Sequence, residues 1–445
     1  MPERVNFERT WRLGLLVLLL ALAGLSFDRA RRGRYDFHHF YLEAQHVWQH
    51  GALHPQMAHS RSDEERQLPF YLPVVPLMLA PLAALGRVGA ALVWTAAQVA
   101  ALGVSLRILR GWCADRGLDG PAILGTATLL ALPALVEAAR FNQLSFFVLA
   151  LVLAGVDAMD RARPGRAGAL LGLATILKLL PAIFLPWLLL KRRWTAAATL
   201  TVTVLAVGLL PPLAGFGPAR TWEYHRQWWQ HNVRGDSASG LLKADLPDHF
   251  VDRRNQSIFQ VLARWTWPEH RFRIPWQPLH LDARTCVLAG YVVTALLGAG
   301  LLWKTRHPWS RLSAAQRHVE VACYALGMLA FSPLVRQYYL VWALPALVML
   351  ARAAGDPDDA RQRRLGWTGL GVWTIGMLAW IWPLTRLLGV HLLMLVVLGI
   401  LLLFGSSHLC MACSNEGERR PSAEAVRGSH SEPPGPKFTR RASSQ

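Results

Sequence analysis

Two charged side chains stand out against their surroundings. Asp36 lies in Tyr35-Asp36-Phe37-His38-His39-Phe40-Tyr41, and Lys178 lies inside the apolar run 167–190. An ionisable group at membrane depth is costly, so it defaults to a functional reading. A carboxylate in a partly dry cleft can take a proton from an attacking hydroxyl within hydrogen-bond reach. Lys178, with Arg336 at the end of the apolar span 319–335, can stabilise charge developing on a phosphate or another anionic leaving group. Plainer roles are open to each. Asp36 suits the N-cap of a helix starting at Phe37, Lys178 can snorkel to an interface, and Arg336 can anchor a helix end.

Amides come next. Asn142-Gln143 follows Arg140 in a tight turn, and Asn255-Gln256-Ser257 follows Asp252-Arg253-Arg254. Side chains that both donate and accept suit sugar hydroxyls, although loop polarity alone accounts for such residues as well. Tyr35, His39, Tyr41 and Tyr338 flank the charged residues and join them as candidate substrate contacts. His46, His50 and His54 recur every four residues, but no carboxylate or cysteine completes a ligand set, and no metal is expected. Arg29, Arg31, Arg32 and Arg34 can hold lipid phosphate or solvate a loop. Cys410-Met411-Ala412-Cys413 is an isolated pair and a weak metal or redox signal.

The elements that must position these residues are membrane helices. Of 445 residues, 53% are hydrophobic and 17% charged, too few charges for a soluble domain. The formal charge of +19 falls in short clusters between apolar runs, which is the positive-inside pattern and not a nucleic-acid face. Apolar spans read at 11–27, 88–109, 121–138, 143–159, 167–190, 194–213, 284–303, 319–335, 338–353, 365–383 and 388–409. Basic clusters on both sides of 167–190 put both its ends on the same face. It is therefore read as a hairpin of two short helices meeting near Lys178-Leu179-Leu180-Pro181. Ten steps from Gly168 to Lys178 climb ~15 Å and carry the lysine toward the outer half of the protein. The same parity makes the proline-punctuated segment 69–85 interfacial or re-entrant.

The expected architecture is an all-α polytopic membrane protein of about twelve transmembrane helices. Residues 1–409 form its transmembrane domain, with two long external loops at 28–87 and 214–283, the first carrying interfacial helices. Both termini are expected in the cytoplasm, the first span as an uncleaved anchor. Residues 410–445, rich in Ser, Pro, Gly, Arg and Glu, read as a disordered cytoplasmic tail. The arginines at 29–34 run against the charge rule for an external loop.

Taken in order along 30–350, these positions resemble glycosyltransferase family 87, whose members are polyprenyl-phosphate-sugar-dependent membrane transferases. They include bacterial phosphatidylinositol-mannoside mannosyltransferases. The resemblance is carried by Asp36-Phe37-His38-His39-Phe40-Tyr41 with Gly51 and Pro55, and by Tyr71-Leu72-Pro73 with Ala80-Pro81-Leu82. It continues through Asn142-Gln143, Gly168 to Lys178-Leu179-Leu180-Pro181 with Arg192-Arg193-Trp194, Asn255-Gln256-Ser257, and Ser332-Pro333 with Trp342 and Pro345. It implies a GT-C-like bundle with an external active site, Asp36 as catalytic carboxylate and Lys178 as a contact to the donor phosphate. It leans against a metal, and no cofactor is expected. Where many members carry a His-His pair after Ser-Pro, this chain has Arg336-Gln337-Tyr338-Tyr339, so the cation there would be Arg336.

The expected function is transfer of a hexose, with mannose the expected sugar, from a polyprenyl-phosphate donor to an envelope lipid or glycan hydroxyl. The expected location is the bacterial inner membrane, with membrane lipids as surroundings and no nucleic-acid partner. A secondary transporter, or a non-catalytic lipid-binding component of an envelope-polymer system, is the alternative. The first of these expects pseudo-symmetric halves, and the sequence carries no internal repeat.

Overall fold

The computed structural model describes residues 2–53, 71–113, 120–232, 254–270 and 272–405. His54, the Cys410/Cys413 pair and the expected tail lie outside them. The described residues are helical and contain no strand. The order is α1 (Pro2–Arg31), α2 (Asp36–His50), α3 (Val74–Ala83), α4 (Gly86–Cys113), α5 (Gly120–Phe141) and α6 (Ser145–Asp160). Then come α7 (Pro164–Leu177), a 3-10 turn (Leu180–Ile183), α8 (Phe184–Leu190), α9 (Trp194–Phe216) and α10 (Pro218–Asn232). After these follow α11 (Ile258–Thr266), α12 (Ala283–Lys304), α13 (Ala314–Ala330) and a second 3-10 turn (Gln337–Ala343). The chain closes with α14 (Leu344–Ala354), α15 (Ala360–Ala379), α16 (Pro383–Leu387) and α17 (Val390–Gly405).

Five of these helices, within α1, α4, α5, α9 and α12, are long and apolar enough to cross a membrane. The other expected crossings fall on shorter helices, and the apolar run 338–353 divides into a 3-10 turn and α14. Leu13, Val17 and Leu20 on α1, Val202 on α9 and Leu296 on α12 are exposed, as lipid-facing side chains are. Helices meet that environment because each satisfies its own backbone polar groups. The chain is a multi-pass membrane protein.

Contacts between helix ends sort the chain into two rims. At one rim Arg317 donates from Nε to Asp160 at 2.9 Å, and His318 stacks on Trp112 at 4.2 Å. Arg352 there donates to the Trp112 carbonyl at 2.8 Å. Lys191, wholly buried, donates to the carbonyls of Thr305 (2.5 Å) and His307 (2.7 Å) and pairs with Glu320 at 2.7 Å. The opposite rim holds Ser26 against Asn142, Arg140 against Tyr35, and Arg87 beside Gly33. Since Gly33 and Arg87 meet, the segment between α1 and α4 leaves and returns at one rim. The ten-residue α3 within it packs on α2 and on α9.

The α7–α8 segment is the hairpin expected from the flanking charge. Pro181 would clash with the carbonyl of residue 177 in a continuing helix, and α7 ends at Leu177. A Cβ at Gly168 would lie 2.2 Å from the Ala196 carbonyl, and one at Gly172 would lie 2.8 Å from Thr203. Matching low numbers with low numbers, α7 and α9 run side by side in one direction, so α8 must return between them. Small residues permit this close approach, as they do between membrane helices generally.

Lys191 and Glu320 fasten the foot of the hairpin to α13, with Trp187 Nε1 donating to the same carboxylate at 3.0 Å. Breaking a buried pair by removing one partner leaves the other charge uncompensated. Lys191→Met should therefore cost about 3–5 kcal/mol, read as a lower thermal midpoint of the detergent-solubilised protein. Adding Glu320→Leu should recover part of that loss.

Candidate active site

Asp36 opens α2, directly after Tyr35, whose backbone sits at φ 60°, ψ −154°. The N-cap of α2 is Tyr35, and the helix has no side-chain cap bond, so the carboxylate is not spent on capping. Non-glycine residues at positive φ are uncommon and cluster at functional sites. Phe37 and Phe40 pin α2 by packing on Trp94 of α4 at 5.7 and 5.4 Å between ring centroids.

Lys178 is held in extended backbone (φ −150°, ψ 133°) where α7 stops. Its Nζ donates to Gln143 Oε1 at 3.4 Å and lies 3.5 Å from the centroid of the Tyr339 ring. Arg336, half-buried, is the extended residue before the second 3-10 turn. Sequence positions 36, 178 and 336 thus converge at one rim, and the charges of Lys178 and Arg336 act on Asp36. Among the described residues Asp36 forms no ion pair with either cation, so the three charges lie within electrostatic range without contact between carboxylate and ammonium. Tyr71, Tyr338 and Tyr339 all lie within electrostatic range of the carboxylate.

Asp36 keeps some exposed surface yet is densely enclosed. That enclosure pushes its carboxyl up to about 6, while the Lys178 and Arg336 charges pull it down. A carboxylate with a pKa near the working pH is suited to general-base work.

The amides named from sequence divide into two kinds. Gln143 belongs to the site, since it accepts from Lys178 and its side chain meets Tyr338. Asn142 instead takes a left-handed backbone (φ 55°), accepts from Ser26 Oγ at 2.6 Å and donates to the Ser26 carbonyl at 3.1 Å. Gln98 completes the lock by donating to the Gln143 carbonyl at 2.9 Å. Asn255 is likewise occupied: its Oδ1 accepts from the backbone of Val335 at 3.0 Å, and its Nδ2 donates to the Pro333 carbonyl at 3.3 Å. Gln256 donates from its backbone to the Val335 carbonyl and from its side chain to that of Arg386, both at 2.9 Å. These residues grip the extended segment that presents Arg336.

Of the flanking candidates, Tyr338 lies at the site, in contact with Phe141 at 5.1 Å. Tyr35 accepts from Arg140 at 3.1 Å and packs on Phe141. Tyr41 is buried beneath Arg87, 5.7 Å from its guanidinium, while His39 is exposed. The His46 and His50 rings lie 4.5 Å apart, tilted by 50°. Tyr71, Tyr339 and Trp342 received no role from sequence. Their signal was membership of the motifs around 71–73 and 333–345, which says nothing of which way a ring faces.

A multi-pass α-helical membrane protein with a carboxylate and two cations at one rim is the class that fold and site define. Residues 70–333 match the family model described as Glycosyltransferase family 87, and the chain belongs to that family. Among similar proteins are two polyprenol-phosphate-mannose-dependent alpha-(1-2)-phosphatidylinositol mannoside mannosyltransferases. That of Mycobacterium tuberculosis is 29% identical over 298 residues, 64% of this chain and 62% of the relative. That of Mycolicibacterium smegmatis is 31% identical over 338 residues, 72% of this chain and 69% of the relative. The chain thus spans under two thirds of the first relative's length. Among solved structures, ArnT from Cupriavidus metallidurans bound to undecaprenyl phosphate aligns at a TM-score of 0.38 and 16% identity, covering 92% of this chain and 79% of ArnT. The family match takes in Lys178 and both amide pairs, but Asp36 precedes it and Arg336 follows it.

If Asp36 must be ionised to act, kcat/KM should fall on acidification with a midpoint near pH 6. Arg336→Gln removes a cation that holds this pKa down, so its acid limb should lie at higher pH than that of the parent. A pH profile of kcat/KM, taken at donor concentrations well below saturation, checks both.

Proposed function

We propose that the protein transfers a hexose, with mannose the favoured sugar, from a polyprenyl-phosphate donor to a hydroxyl of an envelope lipid or glycan. The observation that carries the reading is the gathering of the Asp36 carboxylate, Lys178 and Arg336 within electrostatic range at one rim, with no ion pair between the carboxylate and either cation among the described residues. Membership of the family and the polyprenol-phosphate-mannose dependence named for both mycobacterial relatives support the donor class. On this reading the architecture is GT-C-like, with residues 1–409 as one transmembrane glycosyltransferase domain and 410–445 as a cytoplasmic tail.

Asp36 takes the proton of the acceptor hydroxyl as its oxygen attacks the anomeric carbon. The bond from that carbon to the phosphate oxygen breaks, and polyprenyl phosphate leaves. Lys178 and Arg336 meet the negative charge that gathers on the departing phosphate, the usual largest electrostatic contribution in such transfers. Tyr35, His39, Tyr41, Gln143 and Tyr338 line or flank the space for sugar and acceptor. Asn142, Asn255 and Gln256 act through the residues they hold.

Orientation follows from charge. Basic residues at 161–166, 191–193, 304–317 and 352–364 gather at the rim opposite Asp36, which the positive-inside rule assigns to the cytoplasm. The site then opens on the external, periplasmic face of the bacterial inner membrane, with both termini cytoplasmic.

Asp36→Asn should abolish transfer and leave donor binding intact. The check is a proteoliposome assay with labelled polyprenyl-phosphate hexose, which also separates transfer from uptake and from binding alone. Retained turnover in this variant would overturn the base assignment, and labelled sugar accumulating unmodified in the lumen would favour transport.

A further inference from the structure

Lys178 is part-buried and lacks the ion pair that an enclosed ammonium usually has. Among the described residues it makes one hydrogen bond, the 3.4 Å contact to Gln143, and no ion pair. An aromatic cradle stands in its place: Nζ is 3.5 Å from the Tyr339 ring centroid and 5.4 Å from that of Trp342. The two rings stack on each other at 5.2 Å with 14° between their planes.

The 3-10 turn Gln337–Ala343 explains the alignment. With three residues per turn, positions i and i+3 share one face, so Tyr339 and Trp342 stand one above the other. An α-helix would rotate the second away from the first. Trp342 Nε1 anchors the pair by donating to the Ser145 carbonyl at 3.0 Å, and the turn's own bond from the Tyr339 backbone to the Arg336 carbonyl, at 2.9 Å, keeps it wound.

We propose that the face of Tyr339, backed by Trp342, replaces a counter-ion for Lys178 and so sets how tightly this site takes an anionic phosphate. Ring quadrupoles attract a cation without neutralising it. A carboxylate in contact with Nζ would have to be displaced by, or would repel, an incoming phosphate. The ring holds the ammonium in place and leaves its charge and its remaining N–H bonds for the ligand. Tyr339 is thus a positioning residue, and the inference rests on Lys178 as the phosphate contact.

The test uses the full chain in nanodiscs and a short-chain polyprenyl-phosphate hexose as the probe. Tyr339→Phe keeps the ring face and should bind like the parent. Tyr339→Leu should bind about 30-fold more weakly, the scale of a desolvated cation–π contact. Tyr339→Met supplies the same comparison where leucine disturbs folding. In a Lys178→Met background, Tyr339→Leu should have no further effect, because the contact it removes is already gone. Parent-like binding by the Leu and Met variants overturns the inference, as does an equal loss in both backgrounds. Undiminished binding in Lys178→Met alone would instead overturn the function proposed above.

Discussion

A lysine ammonium with no carboxylate in contact with it is the constraint around which the site end of this molecule is arranged. A part-buried charge with no ion pair is costly to hold. The chain meets the cost locally. An interrupted helix brings Lys178 to the rim in extended backbone, and an amide oxygen and two ring faces receive its Nζ. Each of these partners needs its own support. Gln143 is set by the left-handed turn at Asn142, and the rings are set by a 3-10 turn. Close packing of Gly168 and Gly172 against α9 then fixes the height to which α7 climbs.

A second theme is the division of labour among amides. Asn142 ties the end of α1 to the α5–α6 turn, and Asn255 ties the chain before α11 to the turn carrying Arg336. Arg264 reinforces the latter, donating to the carbonyls of Asn255 at 2.8 Å and Leu387 at 3.0 Å. These are long-range closures between segments far apart in sequence. They place Asp36, Gln143 and Arg336 on one surface although no two of the three share a helix.

What could be read from the sequence followed from one-dimensional signals. Apolar length and charge parity located the helices and the turn-back at Lys178, because hydropathy and proline act locally. Charge within an apolar run singled out Lys178 for the same reason. Side-chain partnership is a different matter. The polarity of Asn142 and Asn255 suggested sugar contacts, yet their partners lie 116 and 80 residues away, at Ser26 and Val335. No local pattern foretells such pairings. The aromatic wall was hidden for a related reason. Among 19 tryptophans and 8 tyrosines in a membrane chain, a belt residue and a cradle residue look alike until the backbone turn that aims them is known.

Charge bookkeeping explains why one carboxylate stands with two cations. On the proposed reaction the donor is a phosphodiester with one negative charge. With Asp36 ionised, that charge and the carboxylate balance Lys178 and Arg336. As the acceptor proton moves to Asp36, the carboxylate becomes neutral and the leaving phosphate gains the second negative charge. The two cations still balance it. The net charge of the enclosed site is therefore constant along the reaction, while negative charge moves from the carboxylate toward the cations. A low-dielectric pocket favours that course, since any step that changed its net charge would carry the cost of burying an uncompensated ion. With a single cation the site would be net negative at every stage, and the arginine after Ser332-Pro333 supplies the missing charge.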